Sequence, residues 1–586
     1  MMTWSPPEDA RALFAAMTAQ AETLPERLDH FAATSPDKIW LHYGEGAARV
    51  SYGETRRASL ALAGGMARMG VKRGDRVAVL TRNSMISVLA MVACWRIGAV
   101  FAPINFNLTG PLLAYQLGDA AAALLLTDPA FLPALGAIRG DVAIAPMVLH
   151  IPAPGDHDHA PDQATGAAGL PDAVPLADLM AGPALADART PGPFDAAALI
   201  YTSGTTGPAK GVLLGHRWIN QYTFGQRTLM APGDTIYCDL PMYHVGGAFS
   251  LVGRAGWMGE TAGLWDRFSA SAFWDRIAQC GGSSATLLDV MVPRLMAAPE
   301  GTADRDNPLA RVHMQPFNAR HHQFARRFGI DFMTVGFGQT ESGSVFSAVI
   351  DEFPDGQGTP AHLWRGGSKD DFRTMVRTQG RPLLDGRDDL PKGIMGRPSA
   401  LFDLCAVDES DVPVATGKVG QLALRPRFPG LILHEYMGKP EATAKALRNG
   451  WFHTGDAVKR IDEDADFYVF IDRMGGFFRV RGENVSSFEV ETMLGRHPAV
   501  RAVAAVPIPA AEGDEDDVAA FIELHDGAEV TLDALHAHAA EHAPRYMRPK
   551  YLRIVDALPV TPTAKIEKYK LRAAILEELA AERALT

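Results

Sequence analysis

The sequence predicts an α/β protein with a large N-terminal part and a small α+β module at its C-terminus. Three observations carry this. The chain has 586 residues, more than one hydrophobic core organises, so two or more domains are expected. From Leu28 to Pro103 amphipathic helical patterns alternate with short apolar runs, the pattern of a parallel sheet covered by helices. Near Ile471 the character changes, with two adjacent glycines followed by a basic strand.

In chain order, Arg73–Asn83 reads as turn, strand and loop. Met85–Gly98 reads as a helix closed by glycine, Ala99–Asn105 returns to a strand, and Ala120–Thr127 adds a buried one. Residues 151–193 are rich in Pro, Gly, Ala and Asp without a period and read as a loop insertion. His157 and His159 within it read as solvated loop histidines. Asp351–Lys392 is a second irregular stretch, read as a surface insertion or a lid. Beyond it the expected elements are a helix over Ser487–Arg496, strands at Val500–Val506 and Ala519–Leu524, a helix over Thr531–Ala540 and a last helix from Lys568. The domain boundary is expected in Asp472–Gly476, dividing the chain into 1–471, a 472–476 hinge and 477–586.

Composition narrows the function class. Hydrophobic residues make up 47% and charged residues 21%, the balance of a globular protein. The net charge of −12 argues against general nucleic-acid binding. Cys94, Cys238, Cys280 and Cys405 are scattered with no C-x-x-C pair, which predicts reduced thiols rather than a zinc site or disulfide framework. The N-terminus is acidic and contains proline, unlike a secretory leader. The apolar stretches near Val77–Ala102 and Ala120–Ala134 are broken by charges and proline, short of the roughly 18 apolar residues of a membrane span. A cytoplasmic enzyme is the expectation.

The strongest chemical signal follows a buried strand, Ala196–Tyr201. It is Thr202-Ser203-Gly204-Thr205-Thr206-Gly207-Pro208-Ala209-Lys210-Gly211. Glycines let backbone N–H groups converge on an anion, hydroxyls add donors, and the lysine offers a charge to outer phosphates. It is not a Walker A loop, because Ala209 stands where that motif needs glycine. The segment resembles the signature loop of the acyl-adenylate-forming, AMP-binding enzymes. That superfamily holds acyl- and aryl-CoA ligases, luciferases and peptide-synthetase adenylation domains. The likeness runs from about Leu28 to Leu571. It implies a large multi-sheet α/β domain and a small mobile one, with ATP, Mg²⁺ and coenzyme A as participants.

Further segments match in the family's order. In Phe337-Gly338-Gln339-Thr340-Glu341 the resemblance implies that Phe337 stacks on adenine. Thr340 would donate to the α-phosphate, and Glu341 would present a hard carboxylate oxygen to Mg²⁺. In Trp451–Asp456, Asp456 would accept from both ribose hydroxyls, joined by Arg473. Pro241–Gly247 places His244 at the acyl-pocket entrance. No aspartate is found there to hold an ammonium, so a free amino acid is not the expected substrate. Pro559–Ile566 carries Lys565, the family's bridge between carboxylate and α-phosphate. Arg479-Val480-Arg481-Gly482-Glu483 resembles the loop that lines the CoA tunnel, with Arg479 and Arg481 facing CoA phosphates.

The wording of that loop and of Tyr546–Arg553 is most like carnitine-CoA and fatty acyl-CoA ligases. Departures are Gly476 at the usual Asp or Lys hinge position, Gln315–Arg320 in place of Gly-Gly-Ala-Pro, and Ala564 for glycine. The resemblance implies an acyl-CoA ligase working on a small carboxylic acid, as a homodimer by family precedent. Two alternatives stay open: another acceptor, such as a carrier-protein thiol, and a non-catalytic nucleotide-binding relative.

Overall fold

The computed structural model describes residues 7–151, 172–202, 209–288, 291–315, 317–318, 320–354, 357–365, 367–391, 393–474, 477–480, 483–510, 516–543, 545–560 and 566–584. Close Cα packing divides the chain into two compact units. The first comprises Met1–Leu404, Leu424–Phe452 and Asp464–Tyr468; the second comprises Cys405–Ala423, His453–Glu463 and Val469–Thr586.

Two sheets organise the first unit. One has eight strands, in the order Glu435–Tyr436, Lys210–Gly215, Ala196–Thr202, Val100–Pro103, Arg76–Leu80, Leu124–Thr127, Met147–Leu149, Ala173–Pro175. All its pairings beyond Ala196–Thr202 are parallel, as the strand–helix alternation predicts. The crossover helix Ser84–Ile97 shows why. The Asn83 side chain caps it by accepting from the Ile86 N–H at 2.9 Å, and Gly98 ends it at φ 82°. Nearly every residue between is buried, so the helix is apolar on all sides. The expected strand Ala120–Thr127 begins only at Leu124, because Gly110–Ala120 is helical. Part of the 151–193 stretch is also structured. Ala173–Pro175 extends the sheet edge and Leu176–Ala181 is a short helix with Leu176 and Leu179 buried; the rest, with His157 and His159, lies outside the described residues.

The other sheet runs parallel through Ile39–Tyr43, Thr261–Leu264, Thr235–Cys238, Ser284–Leu288, Arg311–Gln315 and Phe332–Gln339. Gly343–Asp351 then turns back antiparallel on the last of these. The expectation of an irregular insertion or lid over Asp351–Lys392 is corrected here. Leu383–Asp385 pairs with Gly343–Asp351, and helix Lys369–Thr378 docks through Phe372 and Val376 into a cluster with Leu229, Phe332 and Val349. Ser368 and Asp371 form a capping box at its start. Lys369 Nζ reaches the fully buried Asp331 at 2.6 Å, and Arg373 Nε reaches Asp351 at 2.7 Å.

In the second unit a three-stranded sheet is built from Val500–Pro509, Asp516–Leu524 and Tyr551–Val555. Side chains alternate along the first strand. Val503 and Ala505 face a core with Val490, Leu494 and Leu535, while Ala504, Val506 and Ile508 face Leu571, Ile575 and Leu579. The helices Ser487–Gly495, Leu532–His542 and Lys568–Ala584 supply these faces, close to the expected bounds. No helix among the described residues is long and apolar enough to cross a membrane. All four cysteines are free, and burial pushes the Cys238 thiol up to about 12.

The Lys369–Asp331 pair generates a test. Asp331 is fully buried, and its carboxylate also accepts from the Thr359 N–H at 2.8 Å. Removing the cation leaves an uncompensated buried charge, a loss of about 3–5 kcal/mol. Lys369→Met should therefore lower the unfolding midpoint in thermal or urea denaturation, and adding Asp331→Asn should recover part of it. No recovery in the double variant would show that packing, not charge, holds the helix.

Candidate active site

The signature loop leaves the eight-stranded sheet between its two antiparallel strands, whose last register pair is Thr202 with Lys210. Its base is anchored from a neighbouring helix. Tyr201 donates its hydroxyl to Asp119 at 3.0 Å, Tyr115 donates to the Ala209 carbonyl at 2.8 Å, and Lys439 ion-pairs with Asp119. Burial and the Asp119 charge hold the Tyr201 phenol protonated. Ser203, Gly204, Thr205, Thr206 and Gly207 lie outside the described residues.

Phe337 and Gly338 end the strand Phe332–Gln339 in the other sheet, where the register with Gly343–Asp351 slips between them. Such a bulge re-aims the side chains that follow. A Cβ on Gly338 would stand 2.6 Å from the Gly343 carbonyl oxygen, so the close approach requires glycine. Phe337 is largely buried, edge-on to Phe346 at 6.1 Å. Thr340 and Glu341 occupy the turn, both partly exposed. The Glu341 carbonyl accepts from the Leu433 N–H at 2.7 Å, and its carboxylate accepts from the Tyr436 hydroxyl at 2.9 Å. Another partner of Tyr436 is Lys210, whose Nζ sits 5.0 Å from the ring centroid, a cation–π distance.

One side chain thus joins the loop lysine to the carboxylate of the Thr-Glu pair. Sequence reasoning missed Tyr436, Tyr115 and Lys439, because nothing local marks residues so distant in the chain. No group of three metal-ligating side chains occurs among the described residues. Mg²⁺ commonly takes one or two carboxylates and completes its shell with phosphate oxygens and water. The lone Glu341 carboxylate suits that mode.

His244 packs its ring against Tyr243, centroids 4.6 Å apart, and Tyr243 accepts from Asn107 Nδ2 at 3.0 Å. A π-helix, Gly246–Gly253, follows directly and continues as helix Arg254–Met258. A Cβ on Gly247 would meet the Pro241 carbonyl oxygen at 2.5 Å, so the turn carrying His244 is closed tightly on itself. π-Helical turns are rare and concentrate at functional sites.

The remaining described candidates lie in the second unit. Asp456 is buried, and its N–H donates to Thr454 Oγ1 at 3.1 Å; Thr454 in turn donates to the Leu422 carbonyl at 2.9 Å. Gly455, at φ 72°, accepts from the Met474 N–H at 2.7 Å. Arg473 ends the strand Phe467–Arg473. Arg479 and Glu483 lie on the two strands of a ribbon, Phe477–Val480 paired with Glu483–Ser486. Beside it, Ser487 donates to Asp472 at 2.5 Å, and Lys568 reaches both Ser487 and Glu491, at 2.6 and 2.8 Å. Arg481, Gly482 and Lys565 lie outside the described residues, as does Gly476.

The chain resembles known proteins along most of its length. The sequence profile described as "AMP-binding enzyme" matches residues 28–428, and that of "AMP-binding enzyme C-terminal domain" matches 489–565. The crotonobetaine/carnitine-CoA ligase of Salmonella enteritidis is 28% identical over 512 residues, covering 86% of this chain and 89% of the relative. That of Citrobacter koseri is 27% identical over 511 residues, with the same coverage. Among solved structures, the anthranilate CoA ligase AuaEII in complex with anthranoyl-AMP superposes with a TM-score of 0.75 at 21% identity, over 96% of this chain and 98% of that one. ATP-bound MatB from Rhodopseudomonas palustris superposes at 0.73 and 21%, over 97% and 99%. These likenesses show the same fold.

Tyr436 offers a direct test. Tyr436→Phe removes one hydrogen bond to a charged group, about 1.5–3 kcal/mol; Tyr436→Leu also removes the face under Lys210. ATP affinity, read by calorimetry in the presence of Mg²⁺, should fall roughly tenfold in the first and further in the second. Unchanged affinity in both would remove Tyr436 from the site.

Proposed function

The chain belongs to the AMP-binding enzyme family, and we propose that this member is an ATP-dependent acyl-CoA ligase. It activates a carboxylic acid as an acyl-adenylate, releases pyrophosphate, and transfers the acyl group to coenzyme A with release of AMP. The observation that carries the reading is the joining of Lys210 and Glu341 through Tyr436. It puts the cation of a phosphate loop and a metal-suited carboxylate on one support. The relatives' names, which specify acid–CoA ligation, support the same reaction class.

In the first half-reaction the substrate carboxylate attacks the α-phosphorus in line and the bond to pyrophosphate breaks. Negative charge grows on the phosphate oxygens. Lys210, the hydroxyl and N–H groups of residues 202–207, Thr340 and Lys565 are the donors that answer it. Mg²⁺ at the Glu341 carboxylate would add positive charge at the phosphates when bound. Phe337 and Gly338 hold adenine, and Asp456 and Arg473 hold the ribose. His244 orients the acid.

In the second half-reaction the 477–586 domain turns about residues 472–476, so that the Arg479–Glu483 segment replaces Lys565. Gly476 is the flexible point, since glycine accepts large backbone changes. The CoA sulfur attacks the mixed-anhydride carbonyl, the bond to the phosphate oxygen breaks, and AMP leaves. A thiolate is the effective nucleophile, and a free thiol has a pKa near ~8.5, so the positive charge of Arg479 and Arg481 favours the reactive form.

The defining measurement is AMP release from ATP and Mg²⁺ with a panel of carboxylic acids, with and without CoA. CoA-dependent AMP release is expected. Pyrophosphate exchange without CoA turnover would point to another acceptor, and no turnover or exchange with any acid would reject the ligase. Separate assays of the half-reactions divide the machinery. Lys565→Ala should lower adenylate formation by at least roughly 10²–10³ while sparing thioester formation from supplied acyl-adenylate. Gly476→Pro should do the reverse. Equal losses in both half-reactions would contradict the division of labour.

A further inference from the structure

Below the candidate site the second sheet borders a narrow cavity in which Gln226, Asp234, Arg254, Ser284, Arg311 and His313 stand among apolar side chains. Its walls run into the site segments. Helix His216–Arg227, which bears Gln226, follows the signature-loop hairpin. The strand holding Arg311 and His313 ends at Gln315, and the strand holding Thr334 continues to Phe337 and Gly338. The helix opening with Arg254 prolongs the π-helix that follows His244. Four residues separate Arg311 from Gln315 and Thr334 from Gly338. At ~3.3 Å per strand residue the cavity floor lies roughly 13 Å below the ends of these strands.

The charges of the cavity do not balance. Asp234 is engaged by Arg311 and by the Ser283 hydroxyl at 2.8 Å. Arg254 is 3% exposed. Its guanidinium meets only neutral acceptors among the described residues, Gln226 Oε1 and Ser284 Oγ, each at a long 3.3 Å, and its Nε–H has no partner. His313 adds no negative charge. Burial, with Arg254 nearby, pushes it down to about 4, so it is neutral, linked to Thr334 at 3.0 Å and to Gln315 at 3.1 Å. Burial also lowers the guanidinium of Arg254 to about 10, and it remains charged at neutral pH. The nearest carboxylate, Asp234, is shared with Arg311, so two buried cations face one anion; such an excess is costly, and a bidentate carboxylate is the partner the Arg254 fork fits best.

We propose that the acid activated by this protein carries a second carboxylate at its far end, which Arg254 binds at the floor of the acyl cavity. The inference rests on the ligase reading. It names the substrate class as medium-length dicarboxylic acids or their mono-amides and mono-esters with a free distal acid. An acid ending in an ammonium group would set two cations against each other in a buried space and is rejected.

The test uses the full chain with ATP, Mg²⁺ and CoA. It compares α,ω-dicarboxylic acids of increasing length with monocarboxylic acids and ω-trimethylammonio acids of the same lengths. The dicarboxylates should exceed the monocarboxylic acids at least tenfold in kcat/KM and exceed the ammonio acids further. Arg254→Met should reduce the dicarboxylate-to-monocarboxylate ratio at least tenfold, and Arg254→Lys should restore part of it. A merely structural arginine would lower both substrates alike and leave the ratio unmoved, which overturns the proposal. So does a wild-type preference for monocarboxylic or ammonio acids. If no acid of any kind turns over, the ligase reading fails on its own. Calorimetric binding of the dicarboxylates by wild type and not by Arg254→Met then still decides for the anion site, and equal or absent binding decides against it.

Discussion

A single phenol ties the candidate site of the first unit together. Tyr436 gives its hydroxyl to Glu341 and its ring face to Lys210, so two segments from different sheets share one support. The strand that carries it, Glu435–Tyr436, is only two residues long, yet it is the edge of the eight-stranded sheet beside Lys210–Gly215. Pairing fixes the tyrosine's height, and Thr443, whose Oγ1 accepts from the Tyr436 N–H at 3.0 Å, fixes the turn that follows. The oppositely charged lysine and carboxylate therefore share one aromatic support, and no direct ion pair between them occurs among the described residues. A site for a polyphosphate and its metal needs that separation: a closed Lys–Glu pair would cancel the charges that substrate and cation must meet.

What could be read from the sequence was what short-range order encodes. The strand–helix alternation and the apolar runs at Val500–Val506 and Ala519–Leu524 are local patterns, and each corresponds to a structural element, while most of the hydroxyl- and glycine-rich loop lies outside the described residues. Helix Lys369–Thr378 escaped notice although its Ser368–Asp371 cap and its Phe372/Val376 spacing are helical signals. Three apolar positions, Phe372, Met375 and Val376, on a ten-residue helix are few, and the Gly- and Pro-rich residues before it dominate any window. Tyr436 could not be found at all. Its partners are 95 residues away at Glu341 and still further at Lys210, and an aromatic residue beside Glu435 has no local signature.

The buried charges of the first unit fall into two kinds. Lys369 with Asp331 and Arg373 with Asp351 are neutralised pairs that fasten the 369–378 helix to the sheet. Arg311 with Asp234 is a third such pair. Arg254 differs: its hydrogen bonds go only to neutral groups among the described residues, and the nearest carboxylate, Asp234, is already paired with Arg311. Stability alone gives no reason to keep it, since an apolar side chain of similar volume would serve packing at less desolvation cost. The excess of positive charge on Arg254 and Arg311 over Asp234 is what an entering carboxylate would match.

The π-helix before Arg254 gives this segment an unusual tolerance of chain length. A π-turn holds one residue more than an α-turn over the same span. Removing one residue from Gly246–Gly253 would regularise the backbone while the flanking turns kept their register, so His244 and Arg254 would both stay near their places. A single deletion here would thus reshape only the wall between those two side chains, a local change that leaves Lys210, Glu341 and Tyr436 untouched.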